Sequence, residues 1–410
     1  MNAYKLLGFG EKDENTVFAA SIVLLCFAVP FIKWGIQFFI LFVILSWAFS
    51  KKLPLSVNWK PILIFSGIYI FHAIMLLWST DLERGGDDMV QKLSLIIFPF
   101  ILGTSRYLGQ RVVHAGLIAF VLGTIGSVLF AYATSLVEYH FFQGAHVFYA
   151  HRFHPWFHPS YLAMFANFSM FILVMKSLRD EQSWSTQFFI WLGILGLSVS
   201  LIFPASKMGF VGFALVVLGG LFAAWIKKKR LVWQHGTLLV AAVAFFLALK
   251  SDQTATQRIS NAVATVSGDE DAPKASVESN NYRLIAWEIA VEEIVANPFG
   301  VGTGSESNHF GNAFREAGYP ELAAKDLNPH NTYFQIALAQ GLIACLWFLF
   351  SLAYPLKQIW NKKIWIYGFF IAVISVNFAV ESMLEKQSGV IFFAFFNALL
   401  FFHVLKPKAK

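Results

Sequence analysis

His330 is the side chain in this sequence best placed to move a proton. It stands in Asn328-Pro329-His330-Asn331, directly ahead of a long apolar run. Asn is a favoured helix N-cap and Pro suits the first helical position, so the spacing predicts a helix with His330 in its opening turn. An imidazole, with an unperturbed pKa of about 6.5, is matched to proton abstraction near neutral pH, and a helix N-terminus favours its neutral form. The competing reading is a histidine that only anchors a span at the membrane interface.

Two cations are candidates to hold an anion nearby. Lys207 follows Pro204-Ala205-Ser206 in a very short turn between apolar runs, where a fixed positive charge either snorkels or meets an anion. Arg283 lies in the first turn of an amphipathic segment, Asn281 to Ala296, whose Leu284, Trp287, Val291 and Ile294 fall on one helical stripe before Asn297-Pro298 ends it. Its planar fork suits phosphate oxygens, so the pair can hold a diphosphate. Tyr282 and Asn331, beside Arg283 and His330, are candidate substrate contacts.

The stretch from His151 to Tyr161 adds Arg152, a further cation, and His158 and Tyr161 at the opening of another span. Three histidines here invite a zinc reading, but Pro155 and Pro159 interrupt any helix that would align them, and no metal is expected. Glu381, Glu385 and Gln387 lie at the last outer turn, where they can orient a sugar hydroxyl, the competing reading being a solvated interface turn. Gly300-Val301-Gly302-Thr303-Gly304-Ser305 is a poor dinucleotide fingerprint, because the third glycine position is Ser305. A tight turn that brings backbone N–H groups near Arg283 is expected instead. Asp269-Glu270-Asp271 formally matches a metal-holding acidic pair, but Gly268 and Pro273 mark it as a solvated loop tip. No cofactor is expected.

These residues need a frame, and composition supplies it. Hydrophobic residues make up 57% of the 410, charged residues only 13%, and the mean hydropathy is +0.60, far from a soluble domain. An all-α integral membrane protein is expected. Windows long enough to cross a bilayer number about twelve: 17–33, 34–50, 61–78, 90–104, 112–136, 159–176, 187–203, 207–226, 232–249, 330–354, 364–380 and 388–405. Lys and Arg concentrate in alternate short loops, notably from Lys227 to Arg230, which predicts cytoplasmic termini and an outward-facing long loop. The organisation expected is therefore helices one to nine over 1–249, an outward-facing loop with an amphipathic helix over 250–329, and helices ten to twelve with a cytoplasmic tail over 330–410. A second outer segment, Thr80 to Asp88, reads as an acidic hairpin.

The net charge of +7 sits at helix ends and reads as topology, so nucleic acid is not an expected partner. Cys26 and Cys345 both lie in apolar windows and offer no disulfide framework. The first helix reads as an uncleaved signal anchor.

Several of these motifs occur together in a recognisable order. Ser206-Lys207-x-Gly209, Arg283-x-x-x-Trp287, Asn297-Pro298-Phe299-Gly300-Val301-Gly302-x-Gly304, His330-Asn331-x-Tyr333 and Gly341, followed by a Glu-rich turn, resemble the O-antigen ligase and polymerase superfamily of bacterial envelope glycosyltransferases. The resemblance covers roughly residues 190–400. It implies an inner-membrane enzyme whose long periplasmic loop caps a cavity. Its ligases move a glycan from an undecaprenyl diphosphate carrier to a lipid A core sugar, without metal or nucleotide sugar. His330 matches the family's proposed base and Arg283 its diphosphate-gripping arginine, while Lys207 stands where the family usually has Arg and lacks the bidentate fork. The resemblance leaves a repeat-unit polymerase and a protein O-oligosaccharyltransferase as alternatives. A transporter would need ionisable groups near mid-membrane, whereas these cluster at helix ends.

Overall fold

The computed structural model describes residues 16–50, 57–105, 108–142, 148, 152–178, 182–204, 206–228, 243, 274–325 and 327–405. The expected span at 232–249, the acidic triplet 269–271, His151 and both termini lie outside the described residues or almost wholly so. Among the described residues every regular element is helical. In chain order these are α1 (Thr16–Phe31), α2 (Ile36–Ala48), α3 (Trp59–Met75), α4 (Leu82–Lys92), α5 (Ser94–Thr104), α6 (Gln110–Phe142), α7 (Pro159–Ser177), α8 (Trp184–Ser200) and α9 (Lys207–Lys228). Then come α10 (Lys274–Ala296), α11 (Glu306–Glu316), α12 (Pro320–Ala323), α13 (Thr332–Gln340), α14 (Leu342–Ala353), α15 (Leu356–Lys362), α16 (Trp365–Phe378) and α17 (Gln387–Leu400).

Among the described residues six stretches are long and apolar enough to cross a membrane: Trp59–Trp78, Gln110–Phe141, Pro159–Ser177, Lys207–Ile226, Leu342–Lys362 and Gln387–Leu405. Four shorter apolar helices, α1, α2, α8 and α16, stand among them. Two sequence windows divide differently from expectation. The window at 90–104 straddles the charged α4 and the 11-residue α5, and the window at 330–354 is broken at Gly341.

Helices α7 and α17 are buried along most of their length and form the axis of the bundle. Between them and α6 and α16, Phe120, Phe165, Phe168, Phe370, Phe392 and Phe396 pack as a cluster of tilted and edge-on rings. Such rings fill a core densely and gain from edge-to-face geometry. Large apolar side chains such as Phe38, Leu63, Leu122, Phe188, Leu218 and Leu346 project outward. Trp34, Trp78, Trp184, Trp225 and Trp360 are exposed at or near helix ends, where a membrane interface would take them.

The break at Gly341 explains the glycine-rich turn. A broken helix leaves main-chain groups that must find partners in an apolar setting. Here Val301 N donates to Leu338 O at 2.9 Å, Gly302 N to Ala339 O at 3.0 Å, and Leu342 N to Pro298 O at 2.9 Å. The N–H groups of Val301 and Gly302 are thus spent on the end of α13, not aimed at Arg283 as expected from sequence. The approach is backbone to backbone: a Cβ on Gly300 would lie 2.5 Å from Gly341 N.

The acidic segment at 80–88 is not a hairpin. Asp81 caps α4 by accepting from Arg84 N at 3.0 Å, and Gly85-Gly86 continue the helix. Gly85 serves close approach, since Gly304 carries a φ of +89° and a Cβ there would meet Gly85 N at 2.4 Å. Thr80 N donates to Ser305 Oγ at 2.7 Å and completes the joint. Gly304→Ala is therefore expected to cost more than about 2 kcal/mol, from left-handed strain plus an incompressible backbone clash. Gly86→Ala, where an added Cβ meets nothing within 4 Å, should be neutral or stabilise by up to about 1 kcal/mol. Thermal unfolding of the two variants in detergent measures the contrast, and equal midpoints would contradict it.

Candidate active site

The segment carrying His330 is held from both sides. Trp287 Nε1, on α10, donates to Pro329 O at 2.9 Å, and Asn328 Oδ1 accepts from His330 N at 2.8 Å. His330 itself is left-handed, with φ of 47°, which is uncommon for a side chain of this type. The helix begins later than its sequence suggests: Asn331, not Asn328, is the cap, and its Oδ1 accepts from Tyr333 N and Phe334 N at 2.9 and 3.2 Å. His330 thus stands outside α13, on the turn before it. The reason is local, because residues preceding the asparagine cap need not be helical and Pro329 gains nothing from being so.

Glu381, in the turn after α16, joins the two groups that sequence analysis singled out. Its Oε1 lies 3.2 Å from His330 Nδ1 and its Oε2 lies 3.5 Å from an Arg283 terminal nitrogen. The carboxylate side chain is 15% exposed, against 30% for His330 and 35% for Arg283, so the acid is the inner member. Thr332 fixes its position: Thr332 Oγ1 donates to Glu381 O at 2.8 Å and accepts from Met383 N at 3.0 Å. Burial alone would raise the Glu381 carboxyl. The hydrogen bond from His330, together with the positive charges of His330, Arg283 and His158, outweighs it and holds the acid below the ordinary value of 4.5. A depressed carboxyl contributes its pairing energy above that value and loses it only as the pH falls through the lower one. At neutral pH Glu381 is an anion, and an anion can only accept, so Nδ1 of a neutral His330 carries the proton and Nε2 keeps its lone pair.

The other candidates divide. His158 caps α7, with Nδ1 accepting from Ser160 N at 3.3 Å, and its charge is felt at Glu381. Tyr161 is buried and reaches Met383 O from its hydroxyl at 3.4 Å. Lys207 is the first residue of α9. Helices α7 and α9 run side by side in one direction, because Gly209 abuts Ala163, Gly212 abuts Asn167 and Gly219 abuts Phe171. Lys207 therefore stands at the same end of the bundle as His158 and Tyr161. Helices α7, α9, α13 and α17 all begin at that end, which points their positive dipole ends toward the site. Arg152 is exposed just upstream of His158. Tyr282 turns to Lys325, whose ammonium lies 4.6 Å from its ring. Gln387 accepts from Gln37 at 3.2 Å, and Asn331 spends its side-chain oxygen on the cap. Arg283 lies mid-helix, since α10 begins at Lys274. The buried face of α10 is Ala286, Ile289, Ala290 and Ile294, while Leu284 and Val291 are exposed, so the apolar stripe expected from sequence faces partly outward.

The histidines at 154 and 158 are engaged separately. His154 is buried and engaged with Ser127 Oγ at 3.0 Å and with the N–H groups of Trp156 and Phe157. Three carboxylates missed as a group, Asp88, Glu306 and Glu385, offer oxygens within 4.8 Å of one another. Lys92 already occupies their midst, 2.8 Å from Glu385 Oε1 and 3.3 Å from Asp88 Oδ2. Only folding brings them together, since they come from α4, α11 and the turn before α17.

No curated protein matches the chain. Residues 191–349 match the family model described as O-antigen ligase, a stretch that includes Lys207, Arg283 and His330 but stops short of Glu381. That match supports a relation of this part of the chain to the O-antigen ligase superfamily, which covers ligases and related polymerases.

Proposed function

We propose that the protein is an inverting, metal-independent glycosyltransferase that moves a glycan from undecaprenyl diphosphate to a lipid A core sugar. It acts at the periplasmic face of the bacterial inner membrane. The observation that carries this reading is Glu381 bridging His330 and Arg283, which sets a base and a cation side by side at the positive ends of four helices. The acceptor hydroxyl oxygen attacks the anomeric carbon of the lipid-linked sugar, and His330 Nε2 takes the hydroxyl proton as that bond forms. The bond from the anomeric carbon to the phosphate oxygen breaks, and its electron pair leaves with the diphosphate. Arg283 and, at the same end, Lys207 stabilise that growing negative charge, which is where preorganised cations contribute most. His330 then returns its proton to solvent or to the released phosphate. Attack opposite the leaving group inverts the anomeric centre.

A repeat-unit polymerase is the second reading, because the matched family covers both activities. Gene deletion separates them. Loss of a ligase leaves polymerised glycan on its carrier, whereas loss of a polymerase leaves single repeats on the core.

His330→Ala is expected to keep the fold and to lower transfer by about 10² to 10⁴-fold, the usual share of a general base. Transfer from purified lipid-linked glycan to lipid A core, with EDTA present, measures it, and wild-type rates in the variant would refute the assignment. Glu381 acts through His330, so it is a positioning residue. Glu381→Gln should lower kcat by about 10²-fold, because an amide can present its N–H to Nδ1 and favour the wrong tautomer. Glu381→Asp, which keeps the charge, should restore part of that loss at an unchanged melting temperature. Identical kcat values in both variants would remove the carboxylate from the mechanism.

A further inference from the structure

Beside the turn that bears His330 lies a cavity of about 200 Å³. Asn328 and Pro329 form one wall of it, and Glu385, four residues beyond Glu381, forms another. Its floor carries acceptors with nothing to accept from. Glu306 is 3% exposed and Gln335 is 7% exposed, and both line the cavity. Glu306 Oε2 and Gln335 Oε1 have no hydrogen-bond partner among the described residues, although Gln335 Nε2 reaches Glu306 Oε1 at 3.5 Å. Leaving buried polar atoms unpaired is costly, so such atoms ask for a ligand that donates.

Burial raises the Glu306 carboxyl to about 7. The charges of Glu385 and Asp88 add to the rise, and Lys92 opposes it. A hydrogen-bond donor placed against Glu306 would relieve this load. Two kinds of donor-like ligand fit unpaired oxygens, a divalent cation or a hydroxyl-rich molecule. The cation is disfavoured by Lys92, whose ammonium sits between Asp88 and Glu385 with a side chain only 1% exposed. A second cation would have to share these carboxylates with a buried positive charge already paired to them. Hydroxyls suffer no such repulsion. The rest of the lining suits a sugar ring: Phe310 and Leu338 are apolar, and Arg84 and Lys386 are also lining residues.

From this juxtaposition we propose that the cavity is a monosaccharide subsite, in which Glu306 and Gln335 accept hydrogen bonds from the hydroxyls of a pyranose next to the one that reacts. The inference rests on the glycosyl-transfer reading, and it adds the place where the glycan is recognised. The pyranose belongs either to the acceptor or to the donor glycan, since both present the same hydroxyl chemistry to these acceptors.

The test uses the full-length protein in detergent and two soluble probes, the lipid-free core oligosaccharide and the lipid-free repeat-unit oligosaccharide, titrated by calorimetry or ligand-observed NMR. One of the two is expected to bind wild type and His330→Ala alike. Its affinity should fall at least tenfold in both Glu306→Gln and Gln335→Met, which keep side-chain volume, and the probe that responds identifies the source of the sugar. In transfer assays the same two variants should raise KM for the corresponding substrate at least tenfold while kcat changes less than threefold. Gln335→Met carries no charge change, so it decides the matter even if Glu306→Gln does not fold. The subsite is overturned if neither oligosaccharide binds wild type, or if a wild type active in transfer shows the same KM for both substrates as Gln335→Met. It is also overturned if magnesium or calcium alone raises the melting temperature of wild type but not of Glu306→Gln. A wild type that binds an oligosaccharide through Gln335 yet transfers nothing would sink the proposed reaction and leave the sugar site standing.

Discussion

A single inward-facing carboxylate, Glu381, sets the geometry of everything around it. Arg283 and His330 come from segments 47 residues apart, taking 330 minus 283, and nothing in either segment alone would hold them in register. Each carboxylate oxygen takes one of them. On the proposed reading His330 accepts a proton, and without the anion the guanidinium and the charged imidazole would repel one another. With it, the protonated base is met by a neutralising partner in a site partly closed to water, where such pairing is stronger than in bulk. The main chain of the same residue is tied to Thr332, so the carboxylate is held beside the helix whose entrance carries His330. The left-handed backbone at His330 costs roughly 1–2 kcal/mol, and the Asn328, Trp287 and Glu381 bonds together offset it.

A second constraint acts one layer below. Helix α13 is nine residues long and, at about 1.5 Å per residue, falls well short of a bilayer. Its far end is satisfied by the turn at 298–302 instead of by a further helical turn. That arrangement lets α10 and α11 dock against the bundle through backbone pairing, with Ala286, Ile289, Ala290, Phe310 and Phe314 forming a small core of their own beside Leu338. The glycines of the turn matter because two main chains touch there. The same docking brings Glu306 beneath α4 and so creates the cavity next to the reactive turn.

Much of the frame was legible in the sequence. Apolar windows of bilayer length mark most of the described apolar helices, and the residues with proton and phosphate chemistry stand out against a background of Phe and Leu. Two kinds of information were not legible. Where two glycines adjoin, as at 85–86, sequence favours a turn, but a close backbone neighbour produces the same pattern inside a helix. Likewise, Asn328-Pro329 and Asn331 are both plausible caps by local preference, and only the Trp287 and Glu381 contacts decide between them. The role of Glu381 was out of reach for a different reason. A glutamate in an interfacial turn is ordinary, and its importance comes from partners distant in sequence. The group of Asp88, Glu306 and Glu385 was missed on the same ground.

The exposed face of α10 gives the site its depth. Leu284, Val291 and Val295 project outward, Phe299 follows, and Leu342, Ile343 and Leu346 continue the exposed apolar surface across the backbone contact at Gly341. A patch of this extent would be a liability in water, but it is natural where lipid covers it. Arg283 adjoins Leu284 at one margin of that patch, with its guanidinium turned inward to Glu381. On the proposed reading this is the level at which a diphosphate tethered to a buried lipid tail would present itself. The tail would lie along the apolar stripe while the charged group meets the arginine and the sugar extends toward His330.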